Sequence, residues 1–388
     1  MLARAALLAT ALLLPAAAQA APQEFASFPA PKARHDVKVT VIAEGLDTPW
    51  AIAFVPDGRI LVTERSGKLR VIKDGKLLPD SMGGLPEIEE YGQGGLLDVA
   101  LDPDYANNRY IYLSFMEKAE KGADALPRDQ AKGNRTVIAR FKDGGTELTD
   151  MQVLFRGSLV ESRLHFGSRF AFDRDGLMYF GIGERGQQDR AQDRLDAAGK
   201  IFRLNRDGSV PADNPFVGDK EALPQVFTYG NRNPQGLAVD PATGLVWESE
   251  HGPQGGDEIN IIRPGVNYGW PVITYGKTYG LGLKIGEGTE KEGMAQPEVY
   301  FVPSLALAGM AFYEGGALPF WRGDLIVGLL AGGIARLDIE NGKVVATERL
   351  LEAELPRTRD VAVGPDGRLY ALIEQPGPDG KLVRIDRK

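Results

Sequence analysis

A strand, a tight turn and a second strand recur six times along this chain, and that recurrence limits its possible folds more than any other feature. The copies are AIAFVPDGRILVTE from Ala51, DVALDPDYANNRYIYLSF from Asp98, RFAFDRDGLMYFGIGE from Arg169, GLAVDPATGLVWESE from Gly236, GMAFYEGGALPFWRGDLIVGL from Gly309 and DVAVGPDGRLYALIE from Asp360. Asp-Gly closes a hairpin well because Gly accepts the positive φ that such a turn requires. Further short apolar runs follow the copies: LRVI from Leu69, TVIARF from Thr136, KIFRLN from Lys200, EINII from Glu258, IARLDI from Ile334 and KLVRID from Lys381. A theme repeating roughly every 50 to 75 residues points to a radial array of four-stranded antiparallel blades. The expected fold is therefore all-β, a six-bladed β-propeller over residues 37–388 as one domain. DVKVTVIAEG from Asp36 is a lone strand ahead of the first copy. It can complete the last blade and close the ring, so that no edge is left open. Two unrelated β domains sharing hairpin chemistry are the alternative, and the common turn register counts against it. The charged segments 117–132 and 280–294 read as surface insertions.

The first 20 residues have the form of an export signal. Arg4 is the positive start, Ala5 to Leu14 is an apolar run too short to span a bilayer, and Ala18-Gln19-Ala20 has the small-x-small form of a cleavage site. Cleavage after Ala20 is expected, followed by a flexible segment over 21–36. The mature chain is then periplasmic or secreted, with no membrane span. There are no cysteines, which excludes thiolate metal sites, iron–sulfur clusters, covalent haem and cysteine nucleophiles. Losing Arg4 from 45 basic residues against 53 acidic leaves a net charge of −9. An acidic chain is a poor candidate for nucleic acid and mildly favourable for a cation site.

Chemistry-bearing residues gather between the repeats. The chain has three His. His35 lies in a charged N-terminal segment, His165 in LHFGSR and His251 in SEHGP; either loop His can serve as a general base or be structural. Arg232 stands between Asn231 and Asn233 and before Pro234. It suits a planar anion or carbonyl, or ties two loops by bonding backbone carbonyls. Gly252, Pro253, Asp257 and Glu258 lie on a Gly-rich acidic turn that suits a hard cation such as Ca²⁺, or is simply a turn. Arg357 and Arg359 share one face of an extended strand; they call for an anion between them, or are a hydrated surface pair.

Taken in order, GQGGLLDVALDPDY, LHFGSRFAFDRDG, YGNRNPQGL, SEHGPQGGDEIN and NYGWP resemble the motifs of the glucose/sorbosone dehydrogenase family. That resemblance spans nearly the whole mature chain. It implies a soluble quinoprotein using pyrroloquinoline quinone (PQQ) and Ca²⁺ to oxidise C1 of an aldose to the lactone. By the same resemblance His165 is the catalytic base, Glu184 orients it, and Arg232 and Asn233 flank the quinone. Arg357 and Arg359 hold its carboxylates, and Gln93 lies in the sugar pocket. The Gly252 and Pro253 carbonyls would bind the cofactor-linked Ca²⁺, and Asp257, Glu258 and Tyr268 a second one. Electrons would pass to an external acceptor, a cytochrome or a quinone, and the chain would be a monomer or a homodimer. One position departs from the family pattern: Leu330 and Ala331 stand where a cofactor-contacting Lys is expected, with Arg336 and Lys200 as conceivable replacements. A Ca²⁺-dependent lactonase-like hydrolase and a non-catalytic carbohydrate-binding propeller are the rival readings.

Overall fold

The structure, a computed structural model, describes residues 21–32, 36–118 and 133–388. The export-signal segment, His35 and most of the charged insertion at 117–132 lie outside them. The strands form six antiparallel sheets arranged as a six-bladed β-propeller. Blade one is Pro49–Phe54, Ile60–Glu64, Lys68–Lys73 and Lys76–Leu77. Blade two is Leu96–Leu101, Tyr110–Lys118, Asn134–Asp143 and Leu148–Arg156. Blade three is Phe170–Phe172, Met178–Ile182, Lys200–Leu204 and Val226–Tyr229. Blade four is Pro234–Val239, Val246–Glu250, Asp257–Ile262 and Val299–Phe301, and blade five is Leu307–Phe312, Leu325–Leu329, Ile334–Glu340 and Lys343–Leu350. Blade six takes Thr358–Val363, Leu369–Ile373 and Gly380–Arg387 from the end of the chain and Val37–Leu46 from its start. The lone early strand thus closes the ring, paired from Val37 with Arg387 to Leu46 with Gly380.

The repeated turns fold alike. In VPDGR, Val55 N–H donates to the Arg59 carbonyl and Gly58 N–H to that of Val55, with Gly58 at φ 87°. In GPDGR, Gly364 bonds Arg368 and Gly367 bonds Gly364 in the same pattern. Each inter-blade space is filled by an apolar cluster. Trp50, Leu96 and Phe141 pack between blades one and two, and Trp247, Phe301 and Leu325 between blades four and five.

The first strand of each blade lines the central axis. Ala51, Asp98, Arg169, Gly236, Gly309 and Asp360 hold one common position in the six copies. Arg169 Nη1 reaches Asp98 at 3.0 Å and Asp360 at 3.2 Å, and all three are buried. Arg169 also donates to the Gln235 carbonyl and lies 4.1 Å over the Trp50 ring. The small residues make room: a Cβ on Gly309 would come within 2.0 Å of Asp360 Oδ1. In five of the six lead strands the pairing slips at or next to this position, as between Pro49 and Ala51 or Thr358 and Asp360. Such bulges re-aim side chains beside binding sites.

The 21–32 stretch differs from the loose segment expected of it. Gln23–Glu24 pairs in parallel with Val299–Phe301, Phe25 stacks on Phe301 at 4.6 Å, and Thr347 Oγ1 donates to the Phe25 carbonyl. An exposed apolar edge on blade four is enough to dock it. Among the described residues no helix is long and apolar enough to cross a membrane.

Arg169→Ala should cost about 3–5 kcal/mol in denaturant unfolding, because it strands two buried carboxylates. Glu44→Ala, which breaks a solvent-exposed pair with Lys381, should cost about 0–1 kcal/mol.

Candidate active site

The loops on one end of the propeller converge on a cavity of about 460 Å³, part of it open to solvent. Its wall contains Trp50, Arg65, Gln93, Phe166, Gly167, Asn233, Gln235, His251, Leu330, Arg357 and Arg359. All six blades contribute through strands or adjoining loops, and the bulged lead strands bring in Trp50, Gln235 and Arg359.

His165 lies on the loop entering blade three, in left-handed backbone at φ 51°. Its Nδ1 is 2.6 Å from Glu184 Oε1, just past the second strand of that blade. Its backbone N–H donates to Gln93 Oε1 at 2.8 Å. The approach is close: a Cβ on Gly183 would meet the His165 carbonyl at 2.4 Å. With Nδ1–H donating to Glu184, the neutral ring carries its lone pair on Nε2. Burial lowers the His165 pKa below the ordinary imidazole value, against the raising effect of Glu184; the Arg232 charge lowers it further. Glu184 N–H donates to the Arg232 carbonyl at 2.9 Å, which brings the His165–Glu184 pair up to the Arg232 loop. His251 is a poorer base. Burial, Arg359 and Arg232 bring its pKa down to about 3, and no carboxylate supports it.

Arg232 does what the loop-tying alternative describes. Its Nη1 donates to the carbonyls of His251 at 2.9 Å and Gly252 at 2.7 Å, while its guanidinium lies 5.1 Å over Trp270. Its Nε is buried with no partner, as is His251 Nε2. Glu250, which the motifs did not single out, fixes this turn by accepting from the Arg232 and Asn233 backbone N–H groups. The anion between Arg357 and Arg359 is the chain's own Glu374. Its Oε2 is 3.0 Å from Arg357 Nε and 2.7 Å from Arg359 Nη2. Sequence reading missed Glu374 because it sits on the neighbouring strand, across the hairpin.

Two of the expected metal ligands have side chains already bonded within the chain. The Asp257 carboxylate is spent on Gly252 N–H, Ser304 Oγ and the Leu305 and Ala306 N–H groups, so it staples two loops. The Tyr268 phenol donates to the Ile261 carbonyl and accepts from Arg263 N–H. Glu258 and Tyr268 do line a second, smaller cavity of about 240 Å³ with Arg232, Glu250 and His251. There Glu248, Glu250 and Glu258 surround Asn260 Nδ2 at 3.1–3.4 Å. Burial and mutual repulsion raise the pKa of Glu248 and Glu258. Among the described residues no three His, Asp or Glu are placed to hold a metal between them.

Neither conceivable replacement for the absent Lys reaches the main cavity. Lys200 Nζ is caged by the carbonyls of Arg190, Ala191 and Ala198, and Arg336 is held by Asp324 and Glu348. The cavity wall holds three guanidiniums and no carboxylate, with the Trp50 and Phe166 rings beside unpartnered N–H and imidazole groups. That donor set fits a flat polyanion. The Gly252 carbonyl could also face a cation, but the ligands there are neutral and lie against Arg232. A dication fits only if an anionic ligand arrives with it.

Comparison with known proteins agrees with this geometry. The family model described as Glucose / Sorbosone dehydrogenase matches residues 46–384. Aldose sugar dehydrogenase YliI of Escherichia coli (strain K12) is 40% identical over 354 residues, 90% of this chain and 92% of that protein. The apo-form crystal structure of the soluble aldose sugar dehydrogenase from Escherichia coli has a TM-score of 0.85 at 38% identity, covering 91% of this chain and 100% of that one. The PQQ-bound aldose sugar dehydrogenase from Streptomyces coelicolor has a TM-score of 0.72 at 30% identity, covering 92% of this chain and 100% of that one. A match over nearly the whole propeller, with relatives of this identity and coverage, makes the chain a member of the glucose/sorbosone dehydrogenase family.

Proposed function

We propose that this protein is a periplasmic or secreted, PQQ- and Ca²⁺-dependent dehydrogenase that oxidises C1 of an aldose to the lactone. The observation that carries the reading is an arginine-walled cavity at one end of the ring whose wall residues adjoin the carboxylate-backed imidazole of His165, Gln93 by a hydrogen bond to its N–H and Phe166 as the next residue. Bound PQQ would supply the two-electron acceptor for the C1 hydride, with Ca²⁺ polarising it. Arg357 and Arg359 would hold cofactor carboxylates, and Arg232 and Asn233 would flank the ring. The carbonyls of Gly252 and Pro253 would take Ca²⁺, and Glu258 would belong to a second cation site.

The remaining chemistry belongs to the chain. Glu184 holds His165 in the tautomer whose Nε2 is free to take the proton of the C1 hydroxyl. As that proton arrives, the imidazolium is stabilised by the same carboxylate. Gln93 fixes the backbone of His165 with its carbonyl oxygen and keeps its amide N–H groups for a sugar hydroxyl. Arg232 places positive charge where negative charge develops on the acceptor, and burial strengthens that effect. The external electron acceptor is a cytochrome or a quinone. A hydrolase reading would want several side-chain carboxylates around an axial metal, and the carbonyl-rich, arginine-lined cavity disfavours it.

Protein loaded with PQQ and Ca²⁺ should reduce an artificial dye when an aldose is added. His165→Ala should lower kcat by about 10²–10⁴-fold with an unchanged circular dichroism spectrum; full turnover in that variant would remove His165 as the base. The base works only when neutral, and its pKa is lowered. The acid limb of the kcat/KM profile should therefore fall below the ordinary imidazole midpoint, with activity lost as pH drops through it. Glu184→Gln should move that limb to still lower pH and reduce the rate at every pH. Isothermal titration should find one Ca²⁺ that binds tightly only once PQQ is present, separate from PQQ-independent binding at the Glu258 site, because the main cavity offers the dication no carboxylate of its own.

A further inference from the structure

We infer that Arg65 is an anion-holding residue of the main cavity, taking up a cofactor carboxylate from blade one; this rests on the PQQ reading above. The argument starts from the repeat. The residues paired with, or flanking, the axial position in the second strand of each blade are Thr63, Ser114, Gly181, Ser249, Gly328 and Leu372. Two residues further on, at or near the end of the strand, stand Arg65, Met116, Gly183, His251, Leu330 and Glu374. This one register sets much of the cavity's charge. Arg65, His251 and Leu330 are in its wall, and Glu374 binds the two wall arginines of blade six.

The charges in that register do not balance. Arg357 and Arg359 share a single carboxylate, that of Glu374. Leu330 supplies no charge at all. Arg65 Nη2 pairs with Glu90 at 2.6 Å, but Glu90 is a partly exposed side chain whose charge water screens. The Arg65 side chain is itself mostly buried, and its Nε is buried without a partner. A guanidinium in a cavity wall with an unspent N–H is suited to a carboxylate. The positive contact that Leu330 cannot make is thus provided two blades away around the same ring, by the residue in the equivalent register. Arg65 also donates Nη1 to the Gly92 carbonyl, next to Gln93, so a purely structural role has to be separated from an electrostatic one.

Titration of PQQ followed by its absorbance, with Ca²⁺ present, makes the separation. Arg65→Gln should weaken PQQ binding by roughly 10–100-fold, the loss of one charge-assisted hydrogen bond. Its thermal unfolding midpoint and the sugar KM at saturating PQQ should stay close to wild type. Arg65→Lys, which keeps the charge, should recover most of the affinity. If Arg65→Gln binds PQQ as wild type does while Arg357→Gln is weakened, Arg65 is not an anion contact and the PQQ reading stands. If Arg65→Gln instead raises the sugar KM with unchanged PQQ affinity, its role is to brace Gln93 and the inference fails. If wild-type protein binds no PQQ, both fail together.

Discussion

Arg169 at the centre of the ring is the interaction on which the rest of this structure depends. Its guanidinium meets Asp98 of blade two and Asp360 of blade six, the Gln235 carbonyl of blade four and the Trp50 ring of blade one. The two carboxylates extend the connection, Asp98 accepting from Phe170 N–H and Asp360 from Ile52 N–H. A propeller has no helix or sheet across its axis, so non-adjacent blades meet through buried side chains such as this one, joined by Arg359 of blade six donating to Gln235 of blade four at 3.0 Å. Buried charges are costly unless paired and hydrogen-bonded, and here each is both. The repeat accommodates this single Arg by placing Gly, Ala or Asp at the same position elsewhere in the ring.

Between neighbouring blades the ties are smaller and repeated. Thr63 Oγ1 donates to the Leu97 carbonyl, Ser114 Oγ to that of Ser168 and Ser249 Oγ to that of Ala308. Two of these hydroxyls also accept a lead-strand N–H, from Ala51 and from Asp98, at the slip in pairing. The same slip turns Trp50, Gln235 and Arg359 toward the cavity. Scaffold and site are thus made by one device, a bulge at a fixed place in the repeat. The left-handed backbone of His165 is held against such a frame, with Glu184 and Gln93 on either side of it.

The blade count and the ring closure by the first strand were legible in the chain, as were the motifs that hold Asn233, Arg357 and Arg359 of the cavity wall. Hairpin turns and alternation are local, and the motif order carried the rest. Other residues were not legible, for a common reason. Glu374, Glu250 and Arg65 act through pairings across a hairpin or around the ring, and no short motif announces them. The stapling role of Asp257 was not legible because a Gly-rich acidic turn has the same composition whether it binds a cation or staples a loop. The decision lay with Ser304 to Ala306, on another loop. The Gln23 to Phe25 segment was read as loose because its docking edge on blade four exists only once that blade has formed.

The sequence by itself determined the repeat, the turn geometry and the kinds of groups available, because these follow from backbone preferences and residue chemistry within a few positions. Only the tertiary structure decided which groups face one another. It set Glu374 between two arginines, put Leu330 and Arg65 in the wall of one cavity, and gave the Gly252 carbonyl to Arg232. Those choices depend on charge and close packing between residues that become neighbours only when six blades meet around an axis.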